Sequence, residues 1–287
     1  MASPTNNQPP LGLIAGQGQL PIITARGMRA AGRVVACVGL RDQFDAELPS
    51  LCDRFDQAGI IRLGRWIRLL SRWGVREAIM VGRVRKARMF EPLRLVRQMP
   101  DWRAARLWYG VLRHDRRNDA LLGAVADELQ KAGITLIDST TFIPEHMATE
   151  GVLTRTQPSA SQLKDIAFGV PIVLRMGDLD IGQAIAVREC EVLAVEAIEG
   201  TDRMIDRAGE LSRSGRWMLI KFGKPGQDMR FDVPTVGLQT IERVKAAGGN
   251  CIAVEAGVVI LIDKPKLLEA ADRAGIAIVG VRGHTPA

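Results

Sequence analysis

Sulfur and imidazole are scarce in this 287-residue sequence, which has four cysteines and three histidines. Cys37, Cys52, Cys190 and Cys251 are widely scattered without a CxxC pair, and His114, His146 and His284 follow no ligand spacing. That pattern argues against structural zinc and leaves a hard cation held by oxygen as the metal to expect. Cys37, Cys190 and Cys251 lie in or beside apolar runs and are expected as buried thiols. Aromatics make up 5% of the chain, with a single Tyr. No apolar run reaches the length of a membrane span, and the N-terminus lacks a signal-peptide core, so a cytoplasmic chain is expected. Residues 1–10, MASPTNNQPP, are polar and proline-rich and are expected to form a disordered tail.

What is present is enough apolar material for a large core: 47% of residues are hydrophobic, and glycine is frequent. Short apolar runs alternate with helical segments, which predicts an α/β fold. LGLIA at 11–15 reads as a buried strand, followed by the turn Gly16-Gln17-Gly18 and a helix with Pro21 in its first turn. Such a junction brings backbone N–H groups near a phosphate or nucleotide. Pro21 stands where GxGxxG would have its third glycine, and the second strand (34–38) leads to Gly39-Leu40-Arg41 rather than to an acidic ribose anchor, so a dinucleotide is only weakly indicated. A third strand is expected near 59–63 and another at 77–81, which ends in the basic turn Gly82-Arg83-Val84-Arg85-Lys86, a candidate anion contact. Asp101 is a candidate helix cap. Residues 11–141 therefore read as a Rossmann-like domain, 142–160 as a linker carrying Thr154, and 161–283 as a distinct C-terminal mixed α/β domain.

Charge is unevenly spread. Between Arg62 and Arg117 sixteen Lys and Arg face four acids, a local balance of +12 within a chain of net charge +7. Trp66, Trp73, Trp102, Trp108 and Tyr109 lie in the same window. That mixture fits an anionic lipid surface or a nucleic acid, or else a helical subdomain with core tryptophans and solvated arginines.

The second half has a different texture. The segment KFGKPGQDMRFDVPTVG, 221–237, places Lys221, Lys224, Asp228, Arg230 and Asp232 on a loop kept irregular by Pro225, Gly226 and Pro234. Read alone, such a run is a solvated loop with internal ion pairs. Two further acidic junctions occur, however: Glu196 to Asp202 (EAIEGTD) and Glu255-Ala256-Gly257, each at the end of an apolar run. Three strand-end junctions that converge would suit a phosphate ester and a divalent cation.

Across nearly the whole chain, LGLIAGQGQLP, RRNDALL, GVLTRTQP, DIGQA, VLAVEAIEGTDRMI, KPGQDMRFDVPTVGLQTIE and CIAVEAGVVIL occur in that order. The sequence resembles the UDP-2,3-diacylglucosamine pyrophosphatases of lipid A synthesis, of the type unrelated to metallophosphatase-fold enzymes. The resemblance implies a Rossmann-like N-terminal domain and a distinct C-terminal domain, with the lipid nucleotide held between them. It implies Mg²⁺-dependent (or Mn²⁺-dependent) hydrolysis to 2,3-diacylglucosamine 1-phosphate and UMP, association with the cytoplasmic face of the inner membrane, and a homodimer. Nucleic acid is not an expected partner under this reading. The family's essential aspartate falls in the motif that ends this loop, at Asp232 or, second, Asp228, which are also the expected metal ligands. Lys221, Lys224 and Arg230 would supply positive charge. Substrate contacts are expected from Gly16, Gln17, Gly18, Leu20, Pro21, Gly82, Arg83 and Asp119. In the second half they are expected from Thr154, Gln183, Glu199, Gly200, Thr201, Asp202, Gln227, Glu255, Ala256 and Gly257. The family more often has an acidic pair where this chain has Asn118-Asp119. Three rival functions make different demands: a nicotinamide oxidoreductase, a nucleic-acid-binding protein using the basic window, and a lipid or nucleotide carrier that leaves its ligand intact.

Overall fold

The computed structural model describes residues 8–84, 101–103, 106 and 118–283. The chain forms two compact units, 1–143 with 229–232, and 144–228 with 233–287.

The first unit is built on a five-stranded sheet of β1 (Leu11–Ala15), β2 (Val35–Leu40), β3 (Arg54–Ala58), β4 (Glu77–Val81) and β5 (Thr135–Leu136). All neighbours are parallel and the order is β3-β2-β1-β4-β5, as expected for a Rossmann-like sheet. LGLIA and VACVGL are buried along their whole length because the central strands are covered on both faces, so they read as unbroken apolar runs. The covering helices described are α1 (Gln19–Ala30), α2 (Leu63–Arg72) and α3 (Asn118–Lys131). In α2, Leu63, Trp66, Ile67, Leu69 and Leu70 turn inward, while Arg68 and Arg72 lie in solvent.

The third strand is not at 59–63. It is Arg54–Ala58, RFDQA, an edge strand whose polar residues escape a search for apolar runs. Asp101 accepts from the Gly64 N–H at 2.6 Å and so serves the first turn of α2, while most of the helix it was expected to cap lies outside the described residues. Trp66 is buried, with its indole N–H donating to the Gly59 carbonyl at 3.0 Å, and Trp73 packs against the same core. Trp102 is 83% exposed. The remainder of the basic window, including Lys86 and Trp108, lies outside the described residues.

The second unit holds a six-stranded mixed sheet in the order β6-β13-β11-β9-β7-β8. Its strands are β6 (Gly151–Val152), β7 (Ala184–Arg188), β8 (Glu191–Val195), β9 (Trp217–Lys221), β11 (Gly249–Glu255) and β13 (Ala277–Val281). Strands β9, β11 and β13 are parallel, while β6, on β13, and β7, on β9, are antiparallel to their neighbours, and β8 is antiparallel to β7. Two short strands, β10 (Thr235–Val236) and β12 (Ile260–Leu261), pair separately. The described helices are α4 (Ala160–Asp178), α5 (Thr201–Leu211), α6 (Leu238–Ala246) and α7 (Lys264–Ala274). Ser159 and Gln162 form a capping box that starts α4.

The segment 142–160, expected as a linker, supplies the edge strand β6 and lies in the second unit from Pro144 onward. Its turn is fixed from far away. Asp272 accepts from the backbone N–H (2.8 Å) and hydroxyl (3.0 Å) of Thr156 and from the Arg155 guanidinium (3.2 Å). Cys37 and Cys251 are buried as expected, but Cys190 is exposed, because β7 ends at Arg188 and Cys190 lies in the hairpin turn.

Candidate active site

In the first unit, Ala15 and Val81 are in register, so β1 and β4 end side by side. Their following turns are stitched together. The Gly16 N–H donates to the Val81 carbonyl at 2.8 Å, and Gln17 and Arg83 exchange backbone bonds of 2.9 and 2.8 Å. A Cβ on Gly16 would lie 2.7 Å from the Arg83 carbonyl oxygen, and one on Gly82 would lie 2.7 Å from the Gly16 carbonyl carbon, so only glycine permits the contact. Leu20 and Pro21 pack into the core side of α1. The Gly18 N–H, at the start of α1, donates to the Asp45 carboxylate at 2.7 Å. Asp45 thus places a negative charge at this helix start, where the helix dipole favours one. An anionic phosphate would have to displace it, whereas a neutral base or sugar would not. The side chain of Asp119 lies outside the described residues.

In the second unit the sheet register gathers four strand ends at one edge. Ala184 and Val254 both face Lys221, and Glu255 faces Val281. Glu196, just past β8, donates its N–H to the Ala184 carbonyl at 2.8 Å, and the Gln183 carbonyl accepts from Phe222 at 2.9 Å. Gln183, Glu196, Lys221 and Glu255 therefore share this edge. Glu196 and Lys221 are each 7% exposed, and Glu255 4%. The ammonium of Lys221 donates to the Thr201 hydroxyl (3.2 Å) and to the Thr235 carbonyl (3.0 Å), and Thr201 donates to Glu196 Oε1 (2.9 Å). Glu255 accepts from the Gly223 N–H at 2.7 Å.

Beyond Lys221, Lys224 pairs with Asp180 at 2.6 Å, and its backbone N–H donates to the Gln227 side chain at 3.2 Å. Asp228 is half-buried. Residues 229–232 then belong to the first unit. There the Met229 carbonyl accepts both the N–H (2.9 Å) and the hydroxyl (2.8 Å) of Ser139, and Phe231 is buried in the core with Ile67 and Leu70. The Arg230 guanidinium lies 5.4 Å from the Phe231 ring centroid. Asp232 is exposed and has a left-handed backbone, φ 60°. That conformation costs a non-glycine residue free energy, less for Asp than for most, and such outliers concentrate at functional positions.

Other expected contacts are occupied within the fold. Thr154 is buried, and its hydroxyl donates to the Thr156 carbonyl and accepts from the Ile278 N–H, both at 2.9 Å. The N–H groups of Ala256 and Gly257 donate to the Val281 and Ala148 carbonyls. Glu199 binds Arg207 and the Ala197 N–H; its own backbone N–H, with these partners, holds its carboxyl below the usual range. Gly200 precedes the first turn of α5 with no side-chain cap, and Asp202 lies 3.9 Å from Arg243. Among the described residues no three His, Cys, Asp or Glu group together as a metal cage. Mg²⁺ commonly takes one or two carboxylates and completes its shell with substrate phosphate and water, so hard oxygen donors such as Asp228 and Asp232 fit it. Sequence reasoning did not select Asp45, Ser139 or Asp272, whose partners are far away in the chain, and passed over Phe231 among its charged neighbours.

These features define a two-unit mixed α/β protein whose candidate site is built from charged loops at strand ends. Residues 10–146 match the LpxI N-terminal domain family and residues 149–279 the LpxI C-terminal domain family. The chain is 36% identical over 281 residues to the Caulobacter vibrioides protein UDP-2,3-diacylglucosamine pyrophosphatase LpxI, covering 94% of this chain and 97% of that one. The chain belongs to the LpxI family.

Proposed function

We propose that this protein hydrolyses the pyrophosphate bond of UDP-2,3-diacylglucosamine, giving 2,3-diacylglucosamine 1-phosphate and UMP. The observation that carries the reading is the similarity to a pyrophosphatase of that specificity along nearly the full length of both chains. The loop 222–234 supports it with the chemistry the reaction needs. Charge moves onto the leaving phosphate as the bond breaks, so cations and a positioned water must be fixed in advance. Asp232, exposed on its left-handed backbone, orients the attacking water, and Arg230 and Lys224 supply positive charge. Mg²⁺, or Mn²⁺, would be held by Asp232 and Asp228 together with substrate oxygens, and when bound it neutralises developing charge. Gly16, Gln17, Gly82 and Arg83 meet an uncharged part of the substrate, given the Asp45 carboxylate beside that turn. Gln183, Gly200 and Asp202 are the contacts assigned to the second unit.

The test is UMP release from UDP-2,3-diacylglucosamine by the wild type and by Asp232→Ala. Turnover that is abolished by a chelator, restored by Mg²⁺, and lowered about 100-fold or more in the folded variant supports the assignment. A wild type that binds the substrate and leaves it intact is a carrier, and the reading fails. Full activity in Asp232→Ala keeps the reaction and removes the site.

No helix among the described residues is long and apolar enough to cross a membrane. We infer a cytoplasmic protein that works as a homodimer at the surface of the inner membrane, where its acylated substrate resides. Trp102 and its arginine-rich surroundings are the segment that meets the lipid. Co-sedimentation with phosphatidylglycerol vesicles, lost in Trp102→Glu with the fold intact, is the expected result; undiminished co-sedimentation removes that segment from the role. Steeply salt-dependent binding of DNA or RNA would favour the nucleic-acid alternative.

A further inference from the structure

Glu196 is buried at the end of β8, and only half of its carboxylate is used. Oε1 accepts the Thr201 hydroxyl at 2.9 Å, while Oε2 is buried and has no hydrogen-bond partner among the described residues. Thr201 in turn accepts from the Lys221 ammonium at 3.2 Å. A lysine ammonium can only donate, so the Thr201 hydroxyl hydrogen is directed toward Glu196 and the relay has one possible sense. The far end of the relay is the Thr235 carbonyl, which accepts from Lys221 at 3.0 Å.

The positions of these groups in the chain give the relay its significance. Lys221 is the last residue of β9 and Thr235 the first of β10, so this one ammonium bridges the two ends of the loop 222–234. Thr201 is the first residue of α5, so the same ammonium ties the loop base to a helix start. Through this single hydroxyl the Glu196 carboxylate stands one hydrogen-bond step from a buried ammonium, where opposite charges attract. The site of the carboxylate is itself constrained: a Cβ on Gly182 would fall 2.1 Å from the Glu196 carbonyl oxygen, which holds this backbone close against its neighbour.

We propose that Glu196 is a positioning residue for the reaction: through Thr201 it holds Lys221 against the Thr235 carbonyl and so fixes the base of the loop that carries Asp228, Arg230 and Asp232. The inference rests on the pyrophosphatase reading above and adds to it a carboxylate that touches neither substrate nor metal. It also gives Lys221 the work of closing the loop.

The experiment compares full-length wild type, Glu196→Gln, Thr201→Val and Thr201→Ser in Mg²⁺-supported UMP release from UDP-2,3-diacylglucosamine, with thermal unfolding of each. In Glu196→Gln the amide oxygen still accepts from Thr201 but the carboxylate's negative charge is gone. In Thr201→Val the bridge is removed at nearly constant volume. Both are expected to lower kcat tenfold or more with KM changed less than threefold, while Thr201→Ser, which keeps the hydroxyl, stays within threefold of wild type. Wild-type kcat in both Glu196→Gln and Thr201→Val overturns the inference. Losses that merely follow the unfolded fraction, with Thr201→Ser no better than Thr201→Val, also overturn it by making the relay structural only. A wild type without turnover is a separate result, because it defeats the pyrophosphatase reading itself.

Discussion

Asp232 combines an acidic side chain, exposure and a left-handed backbone on one residue. Asn tolerates that backbone nearly as well as Asp, whereas Ala does not. Asp232→Asn is therefore expected to keep the thermal midpoint of the wild type while losing UMP release, and Asp232→Ala to lose activity with a small additional loss of stability. Equal activity in Asp232→Asn would show that the charge is dispensable. The thiols give a second residue-scale prediction. Burial pushes Cys251 up to about 12, and burial, with the neighbouring Cys52, raises Cys37; Cys37 in turn lowers Cys52, which is only half-buried. The thiolate is the reactive form, so a maleimide is expected to label Cys190 and Cys52 in the native protein and Cys37 and Cys251 only after unfolding, as read by mass spectrometry.

At the scale of elements, long-range side chains hold the turns. The β7–β8 hairpin turns through Glu189 and Cys190, both with positive φ (52° and 58°), without the Asn-Gly pair such a turn prefers. Asp165 of α4 compensates by accepting the Cys190 N–H at 2.7 Å. The turn after β6 depends on Asp272 of α7, whose carboxyl is held down to about 2, first by the Thr156 N–H and further by Arg155. Because the folded value lies below the ordinary one, this contribution is complete above the ordinary aspartate range and is lost as pH falls toward 2. Acid unfolding of Asp272→Asn should lack that component, and the two proteins should converge in stability near pH 2. Phe231 is the anchor by which residues 229–232 enter the core of the first unit. Phe231→Ala is expected to cost about 3–5 kcal/mol in chemical denaturation. A smaller loss would show that Ser139 alone holds the segment.

For the molecule as a whole, the chain does not divide at a single point, because the first unit is completed by a segment more than eighty residues beyond its end. A fragment of residues 1–143 lacks Phe231 and is expected to unfold at lower denaturant than the corresponding transition of the full chain. The sequence was legible wherever a signal is local. Central strands such as LGLIA and WMLIK are continuous apolar runs because they are covered on both sides, and the motifs that mark the family are contiguous. Edge strands are harder to read: RFDQA and the two-residue β6 carry no such run, and so the third strand was expected five residues late and β6 as linker.

The candidate site divides in the same way. By itself the sequence determined that charged residues cluster at strand-end loops and which family the chain joins. Only the tertiary structure decided which of those charges are buried. Glu196, Lys221 and Glu255 lie inside, bonded to Thr201, Thr235 and Gly223, while Asp232 faces outward. The physical reason is that periodicity reports which way a side chain points from its own strand or helix. Burial and pairing of a charge instead depend on donors and acceptors brought up by the tertiary fold from 5 to 32 residues away.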